Sequence, residues 1–282
     1  MNARRRVGFQ GAAGAYSEEA VYRVCGADAD AVPFKENRDV AHAVADASVD
    51  LGLLPIENTL AGSVHASYDA ILAEPAIVAI GESVMPIHHC ILAPAGATLD
   101  TLRSVESHPV ALAQCSEFFQ QHPAIEARSA YDTAGAAAAV ARVGDPTRGA
   151  LASRAAAKRY GLSVLAESVE DRADNQTRFL LLSRTAPPID RDTPVRTMLV
   201  AATPNRPGAL LRLLAPLADN GLNMVKLESR PTGTPWTYLF VLEFEHRAGD
   251  PRASSALSAI AATASSLRVV GTYTPAKATA NA

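Results

Sequence analysis

Thr177 stands at the mouth of an apolar run, where Asn175, Gln176, Thr177 and Arg178 lead straight into Phe179-Leu180-Leu181-Leu182. A hydroxyl and a guanidinium at the start of a buried strand are donors suited to an anion or to a departing oxygen. A second group stands in LPIENTLAGSVHASYD (54–69), where Glu57 and Asn58 follow an apolar strand and Gly62-Ser63 opens a helix. Carboxylate, amide and hydroxyl thereby gather at the C-terminal end of a strand, where open α/β sheets bind ligands. Ser17, Ser107 and Thr133 stand at further strand-to-helix corners, each also suited to an N-cap. With Ser63 they make four hydroxyl-bearing helix starts around one crevice. That set fits an anionic ligand held by neutral donors and helix dipoles.

Other chemistries are excluded. GFQGAAGAYS (8–17) spaces its glycines at 8, 11 and 14, which is not GxGxxG, and no acidic residue ends the following strand as a ribose ligand would. What remains is a tight turn aiming backbone N–H groups at an anion. His88-His89-Cys90 would alternate faces on a strand, so the two histidines cannot chelate one ion; they read as structural. Cys25, Cys90 and Cys115 form no CxxC pair, which fits a reducing compartment. No metal and no cofactor is expected. A net charge of −3 argues against a nucleic-acid partner. No apolar run approaches the ~20 residues of a membrane span, and no signal-peptide core follows the basic N-terminus. The expectation is a cytoplasmic enzyme or binding protein, with no membrane partner.

The elements that must position these residues alternate over the first two-thirds of the chain. VGF (7–9), AVPF (31–34), DLGLLPI (50–56), SVESH (104–108), EARSA (126–130) and GALAS (149–153) read as strands. Helices are expected from near Ser17, over Asn37 to about Asp46, over 64–73, from Pro109, over 133–142 and over 153–160. This pattern implies an α/β fold with a largely parallel sheet. The stretch 76–93 is broken by Gly81 and Pro86 and reads as two extended segments, a hinge crossing between two lobes. Beyond a proline-rich linker the pattern becomes βαββαβ, the ferredoxin-like α+β plan. The tail is expected to fray. The expected domains are a two-lobed region over 1–184, a linker at 185–194, a small domain over 195–274 and a disordered tail over 275–282.

The ordered motifs GxxGxYS, PIENxxxGSV, MPIHHCIL, SHPxALAQC, DTAxAA, DNxTRFLLL, GALL and ESRP resemble the prephenate dehydratase family with a C-terminal ACT regulatory domain. The similarity runs from about Val7 to Tyr273. It implies a catalytic region with the two lobes of a periplasmic binding protein, a site between the lobes, and an ACT module that binds L-phenylalanine. The family's essential threonine falls on Thr177, and Glu57, Asn58 and Ser63 match its active-site positions. The other motifs bring Tyr16, Ser17, Ser107, Gln114, Thr133, Arg178 and Phe179 to the substrate. The effector motifs fall on Gly208, Ala209, Leu210 and Leu211 and on Glu228, Ser229, Arg230 and Pro231, with Asn223 as a further effector contact. ACT modules bind effectors at their mutual interface, so the resemblance implies a homodimer or homotetramer. The catalytic motifs begin at residue 8, which suggests a monofunctional enzyme with no chorismate mutase region ahead of them.

The expected reaction converts prephenate to phenylpyruvate with loss of CO2 and water. Hydroxide leaves poorly, so a proton or strong hydrogen bond must reach it. Thr177 is the expected contact, with Glu57, its pKa raised by burial, as proton source. Arg178 is a candidate carboxylate anchor, ranked below Thr177 because a regular strand turns it away from the Thr177 and Phe179 face. Phe179 would wall the cleft. Two alternatives are open: the same chemistry on L-arogenate, and a non-catalytic amino-acid sensor.

Overall fold

The computed structural model describes residues 4–232 and 234–276. The frayed tail expected from the sequence lies, from residue 277 onward, outside the described residues. Two compact units are present, and of the described residues 4–75 and 83–182 form one, 76–82 and those from 183 to 276 the other.

In the first unit, β1 (Arg6–Gln10), α1 (Tyr16–Cys25), β2 (Asp30–Phe34), α2 (Asn37–Ala45), β3 (Leu51–Asn58), the two-residue β4 (Gly62–Ser63) and α3 (His65–Ala73) come first. Next come β5 (Val78–Pro86), whose first residues belong to the second unit, and β6 (Cys90–Ala93). β7 (Ser104–Ser107), α4 (Pro109–Ala113), α5 (Ser116–Gln121), β8 (Glu126–Ser129), α6 (Thr133–Val143), β9 (Arg148–Ala152), α7 (Arg154–Tyr160) and β10 (Ser163–Ala166) build the second lobe, and β11 (Gln176–Ser183) returns to the first. The first lobe's sheet has the order β2-β1-β3-β11-β5, with β4 beside β3; the second lobe's has β10-β6-β9-β7-β8. The expected two-lobed α/β architecture is present, although both sheets are mixed. β1 pairs in parallel with β2 and β3, and β7 with β8 and β9, whereas β11, β4, β6 and β10 make antiparallel pairs.

The antiparallel return of β11 matters most for the site. It brings the start of β11 beside the end of β3, in the register Thr177 to Asn58 and Arg178 to Glu57. Both strands are pinned by burial: Leu53, Leu54, Ile56, Phe179, Leu180 and Leu182 are all buried. Covering both faces of a sheet explains why β3 and β11 read as near-continuous apolar runs. Gly14 sets the second constraint. Its φ of +87° is left-handed, and a Cβ there would lie 2.9 Å from the Cα of Ala156 in α7, so only glycine lets the turn before α1 rest on the second lobe.

The expected βαββαβ order is realised in the second unit as β12 (Pro194–Ala202), α8 (Ala209–Asp219), β13 (Asn223–Pro231), β14 (Tyr238–Arg247), α9 (Pro251–Thr263) and β15 (Ser266–Tyr273). The antiparallel sheet runs β13-β14-β12-β15. Its core joins Leu199, Leu242 and Phe244 of the sheet to Leu213, Leu217 and Ile260 of the helices.

Candidate active site

A cavity of about 920 Å³ opens in the first unit, in the size range of small-molecule sites. Thr177 and Phe179 line it while Arg178 does not, as strand alternation requires. Asn58, Ser63, Tyr16, Ser17, Gln114 and Thr133 also line it.

Asn58 organises the polar end. Its Oδ1 accepts the backbone N–H groups of Leu60 at 3.0 Å and Ala61 at 2.9 Å. A backbone N–H can only donate, so the amide orientation is fixed. Its Nδ2 therefore donates, to Asn175 Oδ1 at 2.8 Å, Gln176 O at 3.1 Å and Thr177 Oγ1 at 3.0 Å. The Thr177 oxygen is thus an acceptor toward Asn58, which leaves the threonine hydrogen for the cavity. Gln114 extends the chain: its Nε2 donates to Asn58 Oδ1 at 3.3 Å and its Oε1 accepts from Asn175 Nδ2 at 3.0 Å. His89 Nε2 meets the same Gln114 Oε1 at 3.1 Å, and His89 Nδ1 meets the Tyr16 hydroxyl at 2.9 Å. That hydroxyl also donates to His88 O at 2.8 Å. Burial holds the His89 ring below its usual pKa and the Tyr16 phenol well above its own, so both are neutral near pH 7.

The rim supplies positive potential. The N-termini of α1, α2 and α6 reach the cavity through Tyr16 and Ser17, Asn37 and Arg38, and Thr133, so their first-turn N–H groups and dipoles favour an anion. Lys35 also lines the cavity, its Nζ 5.6 Å from the centroid of the Tyr131 ring. Arg38, by contrast, is engaged by Glu36 at 2.9 Å.

Several sequence expectations need correction. Glu57 and Arg178 do not line the cavity; Arg178 Nη2 donates to Glu57 Oε2 at 2.9 Å. Their register puts them side by side on the face opposite Asn58 and Thr177, so the expected proton source and the expected anchor pair with each other rather than with Thr177. Ser107 is fully buried and its hydroxyl donates to Leu151 O at 2.6 Å, so it faces the second lobe's interior. The helix-start readings shift as well. Ala15 caps α1, Val64 precedes α3 with Ser63 in β4, His108 caps α4, and Asp132 rather than Thr133 caps α6. Ser17, Ser63 and Thr133 reach the cavity without being caps. His88 and His89 lie between β5 and β6, outside either strand, and His89 belongs to the cavity. Sequence reasoning missed His89, Asn175 and Lys35. The polar pair Asn175-Gln176 ahead of an apolar strand was the signal for Asn175; Lys35 carried none.

The effector candidates sit in the second unit. Gly208 is left-handed at φ +75° and starts α8, followed by buried Ala209, partly buried Leu210 and exposed Leu211. On β13 a bulge at Val225 changes the alternation. It leaves Asn223, Glu228 and Arg230 on the sheet face of Glu245 and Glu243, while Ser229 and Pro231 turn toward the helix side. Asn223 pairs with Glu245 and Arg230 with Leu239, at opposite ends of the strand. A single chain therefore does not bring all of these residues to one point.

A family model described as prephenate dehydratase matches residues 7–187, and one described as ACT domain matches residues 197–262. Arogenate dehydratase 2 of Petunia hybrida is 39% identical over 285 residues, covering 96% of this chain and 72% of that protein. The structure of prephenate dehydratase from Arthrobacter aurescens in complex with L-Phe is similar at TM-score 0.89 and 31% identity, over 95% of this chain and 90% of that one. A structure described as GqqA, a novel type of quorum quenching acylase, is similar at TM-score 0.86 and 33% identity, over 97% and 99% of the two chains. By the family model and by this identity, the chain belongs to the prephenate dehydratase family.

Proposed function

We propose that the cavity carries out the decarboxylating dehydration of prephenate to phenylpyruvate, in L-phenylalanine synthesis. The observation that carries the reading is the Thr177 hydroxyl, whose proton Asn58 directs into an anion-favouring cavity. Prephenate is a dianion. The ring carboxylate leaves as CO2, its electron pair enters the ring, and the C–O bond opposite breaks. The departing oxygen collects negative charge, which the Thr177 O–H meets with a hydrogen bond. The oxygen leaves as water, so each turnover takes one proton from solvent. Among the described residues no carboxylate bonds to Thr177, and the side chains joined to it are neutral amides. Catalysis then rests on preorganised neutral donors, worth about 3 kcal/mol each when removed. Phe179 offers an apolar wall that disfavours a charged carboxylate, and Lys35 with the helix N-termini anchors the carboxylate that stays.

Dehydration of L-arogenate is the second reading. Arogenate replaces the keto group with an ammonium, and Asp69 and Asp132 line the same cavity. An acyl-transfer reading, raised by the likeness to GqqA, lacks a base at Thr177. Both ring nitrogens of His89 meet Tyr16 and Gln114, and Thr177 is bonded to Asn58.

On this reading residues 1–184 form the catalytic domain, 185–194 the linker and 195–274 a regulatory domain that binds L-phenylalanine between copies in a homodimer or homotetramer. The split of Asn223 from Arg230 along the sheet supports a composite site. The enzyme is read as cytoplasmic. Among the described residues no helix is long and apolar enough to cross a membrane. The test is purified protein with prephenate and L-arogenate in parallel, with and without phenylalanine. Phenylpyruvate from prephenate, suppressed by phenylalanine, is the expected result; turnover of arogenate alone would select the second reading, and turnover of neither would leave a sensor.

A further inference from the structure

We infer that His89 is a positioning residue of the cavity, a neutral imidazole whose Nε2–H holds Gln114 against Asn58. The polarity of the amide chain points to this. The backbone N–H groups of Leu60 and Ala61 fix Asn58 Oδ1 as acceptor, and Asn58 Nδ2 then donates to Asn175 Oδ1. Asn175 Nδ2 must donate to Gln114 Oε1. With that oxygen an acceptor, His89 Nε2, 3.1 Å away, has to carry a hydrogen. The remaining nitrogen, Nδ1, is left with its lone pair toward the Tyr16 hydroxyl at 2.9 Å, whose one hydrogen it then shares with His88 O, 2.8 Å from the same hydroxyl. A direction set by two peptide groups thus passes through three amides to the ring and selects the Nε2–H tautomer, with the Tyr16 hydrogen shared on the other side.

The ring is held to serve this role. His89 is 2% exposed, its backbone N–H donates to Glu170 Oε2 at 2.8 Å, and its ring meets the Tyr16 ring edge-on at 5.5 Å. The ionisable side chains that bear on it besides Tyr16 are Glu170 and His88, which bond to each other at 2.8 Å; burial outweighs the carboxylate and holds the ring below its usual pKa. Gln114 comes from the second lobe, whereas Asn58, Asn175 and Thr177 belong to the first-lobe wall. His89 lies at the crossing between β5 and β6, and so fastens an amide that reaches across the cleft. Without it Gln114 Oε1 loses a donor and the side chain is free to swing from Asn58.

The inference rests on the dehydratase reading for its kinetic arm only. Glutamine places its Nε2 near the position of the imidazole Nε2, and asparagine falls short of it. We expect His89→Asn to lose about 10- to 100-fold in kcat/KM, the scale of one unsatisfied buried group, and His89→Gln to stay within about 5-fold of wild type. Because His89 acts through Gln114, the double variant of His89→Asn with Gln114→Met should fall within about 3-fold of Gln114→Met alone. Equal losses for the asparagine and glutamine variants, or losses that multiply in the double variant, would overturn the role. The second arm needs neither turnover nor a variant. Nitrogen-15 NMR of the wild-type protein at pH 7 should show the His89 ring with one protonated and one bare nitrogen, Nε2 carrying the hydrogen; an Nδ1–H tautomer or a doubly protonated ring would overturn the inference.

Discussion

Asn58 Nδ2 and Thr177 Oγ1 meet at 3.0 Å where the end of β3 lies beside the start of β11. The bond runs one way only, because the other side of the Asn58 amide is occupied by two backbone N–H groups. Thr177 is therefore a donor toward the cavity, and this direction is what the sequence motif alone leaves unsaid.

Asn58→Asp tests the direction with almost no change in shape. A carboxylate still accepts from Leu60 and Ala61 but presents an acceptor to Thr177, which then turns its hydrogen away from substrate. The expected outcome is a loss of at least ~100-fold in kcat with a cooperative thermal transition retained. Turnover within about 5-fold of wild type would show that the direction of this bond is unimportant.

Much of this was legible in the sequence. Strand alternation placed Thr177 and Phe179 together and turned Arg178 away, and the small βαββαβ unit followed from period and turns. The same alternation applied to Glu57 and Asn58 turns Glu57 away from the Asn58 face, because adjacent strand residues face opposite sides. The helix starts were misjudged by one or two residues, a margin over which a serine changes from cap to first-turn residue. His89 and Lys35 were not legible. Each reaches the cavity through tertiary placement, His89 from an irregular crossing and Lys35 from the loop before α2.

Glu57→Gln should leave the chemistry largely intact. The side chain is off the cavity and pairs with Arg178, which is 11% exposed at its side chain. We expect kcat within about 5-fold of wild type and a lower Tm from loss of about 1 kcal/mol, the scale of a partly exposed ion pair. A fall beyond ~100-fold in kcat would return Glu57 to the reaction.

Lys35→Ala should act on binding. The ammonium stands over Tyr131 at the cavity rim, where it meets a carboxylate that carries the same charge before and after reaction. Uniform binding of this type raises KM and spares kcat. Steady-state kinetics should show KM up about 10-fold or more, with kcat within about 3-fold; a kcat loss larger than the KM rise would place Lys35 at the reacting atoms.

The pH profile should be flat between about pH 6.5 and 10 for the contribution of the buried pair. His89 has a folded pKa below its unfolded value, so its contribution to stability is fully present above about 6.5 and is lost as pH falls through the folded pKa. Tyr16 has a raised folded pKa, so its contribution is present below about 10 and lost as pH rises through the folded value. Denaturant unfolding across pH should therefore show stability dropping on the acid side in wild type and dropping less in His89→Gln. An equal acid-side drop in both would assign it to other groups.

The most direct test of the account is the turnover of saturating prephenate by wild type and by Thr177→Val, followed as phenylpyruvate. Valine keeps the shape of the side chain and removes the one hydroxyl that Asn58 orients. The account predicts phenylpyruvate from wild type and a rate at least ~100-fold lower from the variant with its fold intact. Near-equal rates, or no phenylpyruvate from wild type, would contradict it.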